Sequence, residues 1–245
     1  MAIVAATALA SILIGVLSCS PALLATLLVS LLLGVLYSTE LPFMRWKKSP
    51  VLAATCILTV RALVVQLGFY VHMKTALGAL PGLTLAVLLP AAPLAVTAVA
   101  AGGVPWASVL GTLSSPVLFT TAFMLLFSVV IALFKDIPDV QGDGDAGVRT
   151  LSVRLGVGRV FWACILLLTA AYAGALLYLV SHAGGAAGGW TVKTVSALCG
   201  HAVMVWLLWA RAFKVDLRRK GELVDFYMFI WKLFYAEYLL TPLLV

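Results

Sequence analysis

The chain has 245 residues, 64% of them hydrophobic and only 10% charged, and sixteen Lys and Arg against nine Asp and Glu give a formal charge of +7. This composition excludes a soluble globular domain, because near-continuous apolar runs of about 20 residues are what α-helices need to cross a bilayer. It also gives no reason to expect a nucleic-acid partner, since the basic excess sits in loops between apolar runs, where it orients a membrane protein. Cys19, Cys56, Cys164 and Cys199 stand singly with no CxxC pair, which indicates neither a disulfide framework nor zinc. His72, His182 and His201 are equally scattered.

In chain order, the apolar runs predict seven spans, at residues 2–17, 22–37, 51–71, 117–134, 160–180, 192–210 and 223–244. No basic n-region of a secretory signal and no Arg/Ser-rich transit segment precedes the first run, so any organelle-targeting part is expected outside this chain. A further apolar stretch at 82–101 carries Pro90 and Pro93, and Gly78, Pro81, Gly102, Gly103 and Pro105 flank it. Charge decides how to read it. If that stretch does not cross, three basic loops share one membrane face: Arg45, Lys47 and Lys48; Lys135, Arg149, Arg154 and Arg159; and Arg211, Lys214, Arg218, Arg219 and Lys220. Twelve of the sixteen basic residues are then together. If it does cross, the first loop separates from the others. The positive-inside bias favours the first arrangement. The expectation is one transmembrane domain over 1–245, with 78–115 as a re-entrant or disordered insertion.

Four of the nine acidic residues fall within eleven positions, 135–145. A carboxylate without a partner at a bilayer surface is disfavoured, which makes this cluster a candidate site. Wound as a helix, at roughly 100° per residue, Asp136, Asp139 and Asp143 share a face. Pro138 predicts a kink inside the cluster, and Gly142 and Gly144 predict its end. Oxygen ligands without His or Cys suit a hard cation such as Mg²⁺, bound through carboxylates and substrate phosphates. The alternative is a solvated loop whose Asp residues balance Lys135, Arg149 and Arg154. On the first reading, the cluster and the Arg45–Lys48 loop on the same face describe a diphosphate site.

Ionisable groups also occur within spans: Arg61, with Gln66 nearby, in the third, and Lys232 and Glu237 in the last. Such groups face a cavity or one another. Arg61 has two readings, as a receiver of an anionic acceptor or diphosphate oxygen, or as a structural partner of Glu237. The last span is dense in aromatics, from Phe226 to Tyr235. They form either a packing surface with an interfacial belt, or a π-lined wall for an isoprenoid tail and an allylic cation.

Several separated motifs agree in order with one family. They are the run from Phe127 through Lys135-Asp136-Ile137-Pro138-Asp139, then Gly142-Asp143, Arg149 and Ser152-Val153-Arg154-Leu155-Gly156. The final stretch from Phe226 to Leu240 and the loop with Tyr37-Ser38, Leu41-Pro42 and Arg45-Trp46-Lys47 agree as well. With these residues the chain resembles the UbiA superfamily of intramembrane prenyltransferases, in its plant homogentisate phytyltransferase and geranylgeranyltransferase branch. The resemblance implies an all-α polytopic bundle of nine helices in a chloroplast membrane. It implies Mg²⁺-dependent transfer of a phytyl or geranylgeranyl group from its diphosphate to homogentisate, towards tocopherols or tocotrienols. Position by position, it makes Asp139 and Asp143 catalytic and gives Asp136, Asp139 and Asp143 to the metal. Lys135, Arg45 and Lys47 become diphosphate contacts; Arg61 and Gln66, from their place inside a span rather than from the resemblance, are the candidates for the acceptor or cavity. The family's first Asp-rich motif and first two helices have no counterpart here, so seven spans stand for nine in what reads as an N-terminally truncated chain. A catalytically inactive homologue, or transfer to another aromatic acceptor such as a flavonoid or coumarin, is the alternative.

Overall fold

The computed structural model describes residues 2–18, 20–41, 44–76, 111, 113–184 and 189–244, all helical or connecting, with no strand among them. The 78–115 insertion expected from the sequence lies almost wholly outside the described residues. The chain divides into two compact units, Met1–Thr121 and Ala122–Val245.

In the first unit, α1 (Ala2–Leu17) and α2 (Pro21–Ser38) are followed by a 3₁₀ turn (Trp46–Lys48), then α3 (Pro50–Leu58) and α4 (Val65–Ala76). Two of these helices start by the same device. The hydroxyls of Ser20 and Ser49 accept from the N–H groups of Leu23 and Leu52, and a proline follows each serine at the position where a missing N–H does no harm. A π turn, Thr59–Val64, joins α3 to α4 without a break and carries Arg61. Gly68 of α4 lies directly against the Thr26 side chain of α2, too close for any Cβ.

In the second unit, α5 (Ser115–Lys135) enters from the first, and α6 (Val140–Asp145) and α7 (Leu151–Leu155) are short. The long helices α8 (Val157–Ala183), α9 (Val192–Ala212) and α10 (Lys220–Leu240) follow, with a last 3₁₀ turn at Thr241–Leu244. Their core is aromatic. Phe134, Phe161 and Phe226 meet with ring centroids 5.1–5.5 Å apart, and Phe127 reaches Tyr172 at 5.9 Å and Phe234 at 5.8 Å. All six side chains are fully buried. Aromatic pairs at these offsets add attraction beyond their area. The inner face of α10 is thus a packing surface, the first of the two readings of its aromatic run, while Tyr235 and Tyr238 stay exposed.

Five helices are long and apolar enough to cross a membrane: Pro21–Ser38, Val51–Lys74, Ser115–Lys135, Val157–Ala183 and Val192–Ala212. They correspond to five of the seven predicted spans. The other two are helices as well. At 16 residues, α1 reaches only about 24 Å, short of a bilayer core of roughly 30 Å. The remaining helix, α10, is 21 residues long but carries Lys220, Glu222, Asp225, Lys232 and Glu237.

Where α8, α9 and α10 meet, the interior is polar at one point. His201 and Glu237 are both fully buried, with Nε2 of the histidine 3.3 Å from Oε2 of the glutamate. The sequence did not offer His201 as a neighbour of Glu237. The Nδ1 atom of His201 lies 2.7 Å from the Ala197 carbonyl, which can only accept, so Nδ1 carries a hydrogen. Nε2 and Oε2 are then both acceptors unless a further proton sits between them, on the imidazole or on the carboxyl. Breaking such a pair leaves a buried charge or an unsatisfied acceptor. His201→Leu should therefore destabilise the protein by about 3–5 kcal/mol, and His201→Leu with Glu237→Leu by much less. Unfolding in detergent micelles measures both, and equal losses would show that the pairing is not the source.

Candidate active site

The acidic loop is built by a helix that is made to stop. Pro138 has no N–H and disfavours α geometry at Ile137, so α5 ends at Lys135. The chain tightens instead, the Asp136 N–H donating to the Leu133 carbonyl at 3.4 Å and the Ile137 N–H to Phe134 at 3.1 Å. Where the sequence suggested a kink, the structure has a break. Ile137 is buried and anchors the turn, which leaves its neighbours Asp136 and Asp139 facing outwards to different degrees.

Asp139 is the N-cap residue of α6, and its carbonyl accepts from the Asp143 N–H at 2.9 Å. That spacing puts Asp139 and Asp143 one turn apart on the same side. Gly142 and Gly144 do not end the helix as expected, and α6 runs through them to Asp145. The stop comes at Gly147, whose φ of +69° needs a residue without Cβ, and the Val148 N–H closes back onto the Asp143 carbonyl at 2.8 Å.

The charges of the loop interact. Burial pushes the Asp136 carboxyl above its ordinary range; Lys135 opposes this, and the nearby Asp143 and Asp139 carboxylates add to it. Asp139 has a cation of its own: the Lys220 ammonium, from the first residue of α10, donates to Oδ1 at 2.9 Å. Lys135, Arg149 and Arg154 are exposed around the loop. Thr150 caps α7 by accepting from the Val153 N–H. Among the described residues no three His, Cys, Asp or Glu side chains converge as a ready-made metal cage. The donor set is nonetheless all oxygen and its members raise one another's energy. That suits a hard cation arriving with a phosphate-bearing ligand, bound by one or two carboxylates, better than a resident ion.

The structure thus brings Lys135, Asp136, Asp139 and Asp143 into one loop of the second unit. The other candidates lie in the first. Arg45 has φ of +60°, the only non-glycine left-handed residue among those described, and its guanidinium bonds Glu40 at 2.8 Å. Lys47 is exposed in the 3₁₀ turn beside it. Strained backbone of this kind persists where the surroundings require it and gathers at functional positions. Arg61 sits in the π turn and Gln66 on α4, both partly buried. Sequence reasoning took Lys220 only as a topology determinant. The signal it missed is a basic run at the start of a helix, where the dipole disfavours cations and a carboxylate partner is to be expected.

For the loop's backbone, Gly147→Ala should lower stability by about 1 kcal/mol because of its positive φ. Gly142→Ala should be neutral or stabilising by about 0.5–1 kcal/mol, since its methyl meets open space on a helix. Thermal unfolding of both variants in detergent checks this, and equal effects would show that the positive φ is not required.

Comparison with known proteins places this geometry. The UbiA prenyltransferase family matches residues 87–233, more than half of the chain, beginning inside the 78–115 stretch. Homogentisate phytyltransferase 1, chloroplastic, of Arabidopsis thaliana is 43% identical over 244 residues, covering 100% of this chain and 53% of the relative. Homogentisate geranylgeranyltransferase of Hordeum vulgare is 42% identical over 229 residues, 94% of this chain and 48% of the relative. Naringenin 8-dimethylallyltransferase 2, chloroplastic, of Sophora flavescens is 36% identical over 89% of this chain and 45% of the relative. The chain spans about half the length of the curated relatives it matches. No solved structure matches it. With a carboxylate loop hung between apolar helices and a family match across most of the second unit, the chain belongs to the UbiA prenyltransferase family.

Proposed function

We propose that the protein transfers a phytyl or geranylgeranyl group from its diphosphate to homogentisate, in a chloroplast membrane. The observation that carries this reading is the placing of Asp139 and Asp143 one turn apart, with Asp136 beside them, just past the end of an apolar helix long enough to span a bilayer. The acceptor and donors are those in the names of the Arabidopsis and barley relatives, and the compartment is that in the Arabidopsis relative's name. Homogentisate is preferred to a flavonoid because identity falls to 36% for the naringenin enzyme.

Asp136, Asp139 and Asp143 would hold Mg²⁺ brought with the diphosphate, and the ion, when bound, neutralises charge that builds on the leaving group. Lys135 supplies a further cation from the end of α5, and Arg45 and Lys47 keep the diphosphate-contact role that the family resemblance implies. Holding the leaving group at the polar end while the prenyl chain lies among apolar side chains places the C–O bond at the boundary. That bond breaks with its electron pair on the pyrophosphate, and the allylic cation is attacked by a carbon of the acceptor ring. The attacked ring carbon then gives up its proton, which restores aromaticity, and the side-chain carboxylate of homogentisate leaves as carbon dioxide, its electron pair taking up a proton so that the CH2 carbon becomes a methyl. Arg61 and Gln66 are the polar groups assigned to the acceptor.

Membranes carrying the protein should convert homogentisate and phytyl or geranylgeranyl diphosphate to the prenylated quinol, and a chelator should abolish this. The Asp139→Ala, Asp143→Ala double variant should lose at least about hundredfold in rate. Product analysis with radiolabelled donor checks it. Undiminished turnover in the double variant would remove the assigned role of the loop, and turnover with naringenin instead would move the acceptor to the flavonoid class.

A further inference from the structure

The Lys220–Asp139 ion pair is not used by the reading above, yet it occupies one of the carboxylates that reading needs. Lys220 is 68% exposed and Asp139 61%, and 81 residues separate them in sequence. Two acidic groups much nearer in its own segment, Asp216 and Glu222, are engaged. Arg219 lies 3.5 Å from both Asp216 and Glu222, Glu222 accepts from the Asp216 N–H, and Asp216 accepts from the Arg218 N–H. Lys220 therefore reaches out of its own helix to the acidic loop.

Its position is electrostatically unfavourable by itself. As the first residue of α10 it stands at the positive end of a 21-residue helix, directly after Arg218 and Arg219. Asp139 offsets that repulsion, and Lys220 in turn relieves the mutual repulsion of Asp136, Asp139 and Asp143. An exposed pair of this kind is worth only about 0–1 kcal/mol, so a divalent cation displaces it readily. Once displaced, the ammonium has no counter-ion and sits among like charges and helix N–H groups. An anion beside the cation is then what it needs. The ammonium presents three donors and suits a phosphate oxygen as a point charge.

Resting on the proposed diphosphate site, we infer that Lys220 is the resting counter-ion of Asp139 and passes to the diphosphate when a divalent cation takes the carboxylate. It is a positioning residue with two successive partners. It lowers the affinity of the empty site for metal alone and raises the affinity of the metal-loaded site for diphosphate, which favours their joint arrival.

The test uses the purified chain in detergent, with Mn²⁺ followed by its paramagnetic resonance and inorganic pyrophosphate as the second probe. Lys220→Met should tighten Mn²⁺ binding about three- to fivefold without pyrophosphate, by removing the competing cation. It should also weaken pyrophosphate binding to the Mn²⁺-loaded protein about tenfold. Lys220→Arg should stay close to the parent in both. Unchanged or weaker Mn²⁺ binding in Lys220→Met overturns the inference, and so does tighter Mn²⁺ binding with pyrophosphate affinity unmoved. Asp139→Asn separates this from the underlying site. If it loses Mn²⁺ while Lys220→Met changes nothing, only the role of Lys220 falls. If it keeps Mn²⁺ binding intact, the cation site falls with it.

Discussion

A carboxylate has to be given water, a cation or a proton, and a chain this apolar can supply few of the three. That scarcity arranges the second unit. Glu237 is fully buried with His201 beside it, its Oε2 3.3 Å from Nε2 of the imidazole. Asp136, Asp139 and Asp143 are carried out past the end of α5, where Lys220 meets one of them and burial destabilises another. The two solutions differ in reversibility. A buried pair packed among helices is separated only by unpacking them, whereas an exposed ammonium is exchanged on contact with a stronger cation.

Pro138 and Ile137 convert this requirement into a shape. The proline ends the span and the isoleucine is buried, its N–H bonded to the Phe134 carbonyl, so the acidic residues follow within a few positions of Phe134, whose ring meets those of Phe161 and Phe226. A loop attached so closely to a dense aromatic cluster keeps its position while its side chains stay free to change partners. Rigid backbone with exchangeable charge is what binding of a polyanion at a membrane surface asks for.

The helices were legible because bilayer thickness and apolar run length are the same quantity read two ways, and five predicted spans recur as helices of spanning length. The acidic loop was legible because charge is rare in the chain. Its local form was misjudged where short-range rules competed. Gly142 and Gly144 look like stops, but on a solvated helix end they cost little, and the stop went to Gly147, where a positive φ is needed. The partnerships of Lys220 and His201 were not legible, since each joins residues 36 or more positions apart and no local periodicity records such a pairing. The aromatic run of α10 admitted two roles, and burial separates its core-facing rings from Tyr235 and Tyr238.

The π turn at Thr59–Val64 has its own consequence for how this membrane segment is read. The Val65 N–H bonds back to the Val60 carbonyl, five residues earlier, so one extra residue is accommodated without an extra turn of pitch. Everything downstream is rotated by about 100° relative to an uninterrupted helix. The stripe facing α2 is therefore out of phase before and after the turn, and Gly68 meets Thr26 on the downstream side of that offset. Loss of a single residue anywhere in the turn would restore regular winding and swing Gln66 and Gly68 off their present bearings, leaving composition and length almost untouched.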